Sequence, residues 1–320
     1  MKETNNVVLF PGMLQQLEVE SFTAMDEENY ETALEKLNLL LSHQISSYKI
    51  HVGKLICLIK LNQFIEAEQF CEELLWNKDD HHYDDYFDYY TMILYERNKF
   101  SELMTAIEEE KKVRLIPDKY LNKLEQLYNI CYQMNEMTAS ELLKDLHVAV
   151  EENDHQKQWY IINKWKQLSV KVPPFFITLL QQEVIHPVVK TYILEVVKEH
   201  DVNEKIEIIK FGDSLTVNLD ELPQIDEHPI YQKTLEQIRP LEQENPTLFQ
   251  LVNELLDQFV YVRYPFYYPD DDVQTVARAL IHLGKVHLSL HSPKEDKDKK
   301  INKFIQHIQV CNELYLNIIL

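Results

Sequence analysis

The chain has 320 residues, enough to bury a substantial core in one or two domains. Only four are glycine, too few for the turns and phosphate loops of doubly wound α/β folds or for β-sandwiches, so helices joined by short polar turns are expected. Against 32 Lys and Arg stand 53 Asp and Glu; this formal charge of −21 repels nucleic acid and anionic lipid, and neither is an expected partner.

The apolar run Val7–Phe10 is short, lacks a small-residue cleavage site and is broken by Pro11-Gly12, so it does not read as a signal peptide. No segment approaches the roughly 18 apolar residues of a membrane span. Cys57, Cys71, Cys131 and Cys311 fall inside expected helices without CxxC spacing. They read as small buried hydrophobes of a reduced, cytoplasmic protein.

Apolar residues recurring every three or four positions predict a first hairpin of helices over 14–26 and 30–42. A second spans 48–61 and 64–76, and a third 83–97 and 100–113. The breaks Glu27-Glu28-Asn29, Asn62-Gln63 and Asn98-Lys99 have a length that suits antiparallel neighbours. A fourth unit starts at Pro117, carries the stripe Leu121, Leu124, Leu127, Tyr128 and Cys131, and is expected to break where Thr138 caps a helix over 139–150.

These hairpins repeat. Asn29-Tyr30-Glu31-Thr32-Ala33-Leu34 returns 34 residues later as Gln63-Phe64-Ile65-Glu66-Ala67-Glu68. In both, an aromatic is followed three positions on by alanine, and the phase continues through Leu37 and Leu40, then Cys71 and Leu74. Lys99-Phe100-Ser101-Glu102-Leu103, followed by Ile107, is a stretched third copy. Such a period belongs to stacked helical hairpins, and the pattern resembles the tetratricopeptide-repeat (TPR) family. The first helices depart from that pattern. Where the family places a large aromatic, a leucine and a glycine, this chain has Leu17, Glu20 and Ser21, then His51, Lys54 and Leu55, then Phe87, Tyr90 and Thr91.

The resemblance implies an all-α, right-handed α-solenoid of TPR-like hairpins over 1–152, in which the first helices line a concave groove. The groove-facing positions would be Val19, Phe22 and Met25, then Val52, Ile56 and Ile59, then Tyr89, Met92 and Tyr95, with Glu18, Asp26, Asp88 and Glu96 nearby. The basic set with which some members clamp a terminal carboxylate is not matched. Such an apolar, acidic groove suits an amphipathic helix or extended segment carrying basic residues.

Beyond 153 the period is lost, and an irregular helical C-terminal domain is expected over 153–320. Proline-punctuated helices are predicted over 156–168, 175–185 and 188–200. A β-hairpin then turns at Gly212-Asp213, with Ile206, Ile208, Lys210, Leu215, Val217 and Leu219 in its strands. Two strands alone are marginal, so the hairpin must lie on a helix. Helices over 229–238, 246–261, 271–291 and 301–320 complete the chain, with a solvated charged loop over 293–300. The segment Tyr261, Arg263, Tyr264, Phe266, Tyr267 and Tyr268 reads as a proline-kinked loop sealing the C-terminal core, with Asp270, Asp271 and Asp272 starting the next helix. Its alternative is an interface rich in tyrosine and arginine.

Metal chemistry has two candidates. In Asp79-Asp80-His81-His82-Tyr83-Asp84-Asp85 adjacent residues converge poorly on one ion, so an acidic helix start is expected instead. His282, His287 and His291 share a helix but lack an HExxH glutamate, and Leu283, Val286 and Leu290 set that helix's core phase. No metal or cofactor is expected, and no phosphate loop or nucleophile elbow is present. The leading reading is therefore a non-enzymatic scaffold that binds a protein or peptide. The second is a self-capped or homo-oligomeric structural protein with a filled groove. The third is a metal-dependent hydrolase at the histidine helix.

Overall fold

The computed structural model describes residues 11–77, 80–200, 205–269, 272–290 and 298–319. Val7–Phe10, Asp79, Asp270, Asp271, His291 and most of the charged run 293–300 lie outside the described residues. The chain divides into two compact units, Met1–Asn135 and Glu136–Leu320.

The first unit is built from antiparallel helices: α1 (Pro11–Asp26) and α2 (Tyr30–Ser42), α3 (Tyr48–Lys60) and α4 (Phe64–Leu75), α5 (Tyr83–Glu96) and α6 (Phe100–Val113). Their bounds follow the sequence periodicity closely because each break carries its own stop signal. Asn62 and Asn98 take left-handed backbone (φ 57° and 56°), and Glu28 does the same (φ 57°). The next amide then bonds five residues back, Gln63 to the Leu58 carbonyl and Lys99 to the Leu94 carbonyl, closing the helix end. Asparagine tolerates this conformation better than most residues, so a chain poor in glycine can still turn sharply.

Ala33 and Ala67 are fully buried, together with Leu37, Leu40 and Cys71, as the repeat phase requires. At the family's glycine position Ser21 and Thr91 are buried. Their hydroxyls donate to the carbonyls of Glu18 (2.7 Å) and Asp88 (3.0 Å) in their own helices, so neither leaves an unpaired polar group. His51, at the position of the large aromatic, meets the edge of Phe70 and shares a hydrogen bond of 2.9 Å between its Nδ1 and the Tyr86 hydroxyl.

The expected break at Thr138 is absent: α7 runs unbroken from Asp118 to Glu151. No glycine or proline interrupts those 34 residues, and a threonine caps a helix only where the chain has already left helical geometry. Leu124 and Cys131 bury into a cluster with Phe87, Leu94, Leu103 and Ile107.

The second unit contains α8 (His155–Lys166), α9 (Pro174–Leu180), α10 (Pro187–Glu199), α11 (Pro229–Ile238), α12 (Leu241–Glu244), α13 (Pro246–Arg263), α14 (Val273–His287) and α15 (Lys299–Ile319). Proline opens α9, α10, α11 and α13, where its missing N–H costs nothing. The hairpin forms from β1 (Lys205–Lys210) and β2 (Asp213–Asn218), with Ile206 opposite Val217 and Ile208 opposite Leu215. Phe211 and Gly212 both take positive φ at its turn. Ile206 and Ile208 bury among Phe176, Leu179 and Leu180, so the hairpin does lie on a helix, α9. Lys210 shares that buried face. Its amine donates to the Thr191 hydroxyl (2.6 Å) and to the carbonyls of Val262 (3.1 Å) and Tyr264 (2.6 Å), which are left open at the end of α13. Burial drives its pKa well below the usual lysine value.

The aromatic segment seals the core. Tyr264 and Tyr268 are buried, the Tyr264 hydroxyl donates to the Pro223 carbonyl (3.0 Å), and the Tyr268 and Thr234 hydroxyls lie 2.5 Å apart. All four cysteines are free and buried. No helix among the described residues is long and apolar enough to cross a membrane.

Candidate functional site

The groove positions fall at matching places on α1, α3, α5 and α7. Phe22 and Met25 recur 34 residues on as Ile56 and Ile59, and these recur 36 residues on as Met92 and Tyr95. Leu127 and Ile130 follow after a further 35. One such column per helix is what stacking of equivalent hairpins produces.

Between α5 and α7 this surface opens into a cavity of about 550 Å³. Tyr89, Met92 and Tyr95 line it with Tyr48, Leu127 and Ile130, while Asp85, Asp88 and Lys123 supply charge. Met92 is 39% exposed and Tyr95 36%, high for large apolar side chains. The Asp88 carboxylate accepts from Lys123 (2.6 Å) and from the Tyr120 hydroxyl (3.0 Å). Burial, with Asp88 second, raises the Tyr120 pKa and keeps its proton in place. Tyr48 stacks on His82 at 3.7 Å; its pKa is raised by burial first and then by its hydrogen bond to Asp85.

A second cavity, also about 550 Å³, lies at α1. Val19 and Phe22 line it with Gln15, Glu18, Thr23, Asp26 and Lys49. Val19 is 66% exposed, and the Lys49 ammonium sits 4.0 Å from the centre of the Phe22 ring. Between the cavities Phe22 and Met25 close over Gly53, where an added Cβ would stand 3.1 Å from the Phe22 ring and 3.5 Å from the Met25 sulfur. Met25, Val52 and Ile59 also pack against the hairpin core, and Ile56 is half-buried without lining either cavity.

Tyr95 also reaches the hairpin core, where its ring meets buried Phe100 edge-on at 5.5 Å. The α7 wall of Lys123, Leu127 and Ile130 is absent from the expected groove set. The 35-residue offset from Asp88, Met92 and Tyr95 marks all three, but α7 lacks the aromatic-led repeat signature that flags the other units.

Among the described residues no group of three or more His, Cys, Asp or Glu side chains is placed to hold an ion. His82 instead pairs loosely with Asp85 at 3.6 Å, and His282 and His287 lie along α14.

Stacked helical hairpins with buried alanines at the repeat positions define a helical repeat protein whose hairpins resemble the tetratricopeptide pattern. The chain is similar to the TPR repeat-containing protein YsoA of Bacillus subtilis (strain 168), with 28% identity over 274 residues, 83% of this chain and 81% of that relative. No family model matches the chain.

Proposed function

We propose that the protein is a non-enzymatic, cytoplasmic scaffold whose repeat domain, residues 1–152, binds a protein or peptide through the groove of α1, α3, α5 and α7. The carrying observation is the cavity between α5 and α7, where Tyr89, Met92, Tyr95, Leu127 and Ile130 stand beside Asp85 and Asp88. Phe22, Met25, Val52, Ile56 and Ile59 extend that surface toward α1. A soluble helix face is ordinarily charged, so an apolar column bordered by carboxylates fits an amphipathic partner segment carrying basic residues. Residues 153–320 act as a helical domain without a site of their own in this reading.

The test is selection from a random-peptide display library, followed by binding of the enriched peptides to Ile56→Lys/Met92→Lys. Neither residue belongs to the buried core, so circular dichroism of the variant should match the parent. The selected peptides should combine apolar and basic residues and bind the variant at least about tenfold more weakly, since central apolar anchors dominate such interfaces. Peptides indifferent to the variant would place binding elsewhere. A parent of twice the chain mass whose variant is monomeric would instead assign the groove to a second copy. An unfolded variant would mean that the groove is filled internally.

A further inference from the structure

Away from the groove, on the side formed by the second helices, α4 and α6 flank a cleft of about 430 Å³. Its floor comes from α5, where Tyr83, Phe87 and Tyr90 fall at helical spacing. Trp76 stands at its rim, 88% exposed and the most open aromatic side chain among the described residues of the first unit. Glu72 and Glu109 are exposed on the two walls, and neither makes an ion pair among the described residues. The Tyr90 hydroxyl reaches Glu72 at 3.5 Å, which leaves most of that carboxylate's accepting capacity open.

The molecule already uses this chemistry one ring further along. The Arg114 guanidinium lies 4.8 Å from the centre of the Tyr83 ring, pairs with Asp84 at 2.5 Å and also contacts Glu110. A planar cation on an aromatic face with carboxylates at its edge is thus a stable arrangement at this floor. The cleft beside it presents rings and carboxylates in the same combination, with no cation among its described lining residues. The end of α4 adds partial negative charge, and its last turn carries no basic side chain.

We infer that the cleft between α4 and α6 is a second docking site, independent of the groove, which takes an arginine side chain of a partner polypeptide. The guanidinium lies on the Trp76 and Tyr90 rings and is paired by Glu72 and Glu109. An apolar partner would leave both carboxylates facing it unpaired, and an acidic one would be repelled.

Indole ¹⁵N–H spectra of the full chain test this, because the protein has only three tryptophans. Trp76 is assigned by Trp76→Phe, and the more buried Trp159 and Trp165 report on the fold. The probes are N-acetyl-arginine amide and its uncharged isostere N-acetyl-citrulline amide. Arginine amide should shift the Trp76 signal saturably and leave the other two in place, and citrulline amide should bind at least about fivefold more weakly. Glu72→Gln/Glu109→Gln should abolish that preference, whereas Ile56→Lys/Met92→Lys should leave it intact. No saturable shift, or equal responses to both probes, would overturn the proposal. A Trp76 signal that moves on dilution, with a sedimentation mass of two chains, would assign the cleft to a second copy and also overturn it.

Discussion

Glu68 on α4 accepts a hydrogen bond from Lys99 at 2.8 Å across 31 residues of sequence, and this contact ties the second hairpin to the third. Glu68 is buried and also contacts Arg97, so one carboxylate collects two cations from the turn between α5 and α6. Glu68→Leu would strand Arg97 at a partly buried seam and leave Lys99 with Glu102 (2.7 Å) alone. The expected loss is about 2–3 kcal/mol, the scale of hydrogen bonds to charged groups, read as a lower urea midpoint at unchanged slope. A loss below 0.5 kcal/mol, the ~0.2–1 kcal/mol scale of exposed pairs, would mean that the seam is solvated.

Alanines and exposed residues of the same helix should behave oppositely. Ala67 is fully buried, so Ala67→Leu should overpack the junction and cost ~1–3 kcal/mol. Ile65, two residues earlier, is 61% exposed, so Ile65→Lys should change stability by no more than about 0.5 kcal/mol. Equal costs at the two positions would mean the register of α4 is wrong.

The repeat unit was legible because local signals agree there. Aromatic, alanine and polar break all recur near 34 residues, and each break holds an asparagine or glutamate able to take left-handed backbone. The proline-opened helices of the second unit were legible for the same local reason. What stayed hidden depends on partners distant in sequence. Lys210 alternates with Ile206 and Ile208 onto the buried face, but nothing near it in sequence names the acceptors that Thr191, Val262 and Tyr264 supply. Glu68 reads as a surface acid until Arg97 and Lys99 meet it. The α7 wall was missed because that helix keeps the groove column but not the packing signature, and the same continuity carries it through Thr138. The outer cleft involves residues that periodicity assigns to core and surface separately, and only packing joins Trp76 to Tyr90.

Gly284 tests close packing in the second unit. An added Cβ there would stand 2.6 Å from Val252 Cγ2 and 2.9 Å from Leu248 Cδ1, both in buried side chains. In an open helix, Gly→Ala gains about 1 kcal/mol of propensity. Here α13 and α14 would have to separate, at about 1–3 kcal/mol for overpacking. Gly284→Ala should therefore be neutral to destabilising by up to about 2 kcal/mol, measured by chemical denaturation. A gain of 1 kcal/mol would show that α13 yields freely.

His186 makes the second unit sensitive to acid. It caps α10, its Nδ1 accepting from the Val188 amide at 3.3 Å, a bond available only while that nitrogen is unprotonated. Burial, then the His155 ring 5.4 Å away, then Lys210 lower its pKa to about 4. In the unfolded chain the ring titrates near 6.5. Between those values the unfolded state binds a proton that the folded state refuses, so stability must fall as pH drops from about 6.5 toward about 4. Above 6.5 both states are neutral and the contribution is constant. His186→Asn keeps a capping acceptor and removes the titration. Relative to this variant, the parent should lose on the order of 1 kcal/mol by pH 5, after allowance for solvent screening at a half-buried site. The two should run parallel from pH 7 to 8. His51, His228 and His307, also shifted down mainly by burial, lower both proteins alike and cancel in the difference. Urea midpoints at half-unit pH steps measure it, and a difference that stays flat down to pH 4.5 would mean that the ring titrates normally in the fold.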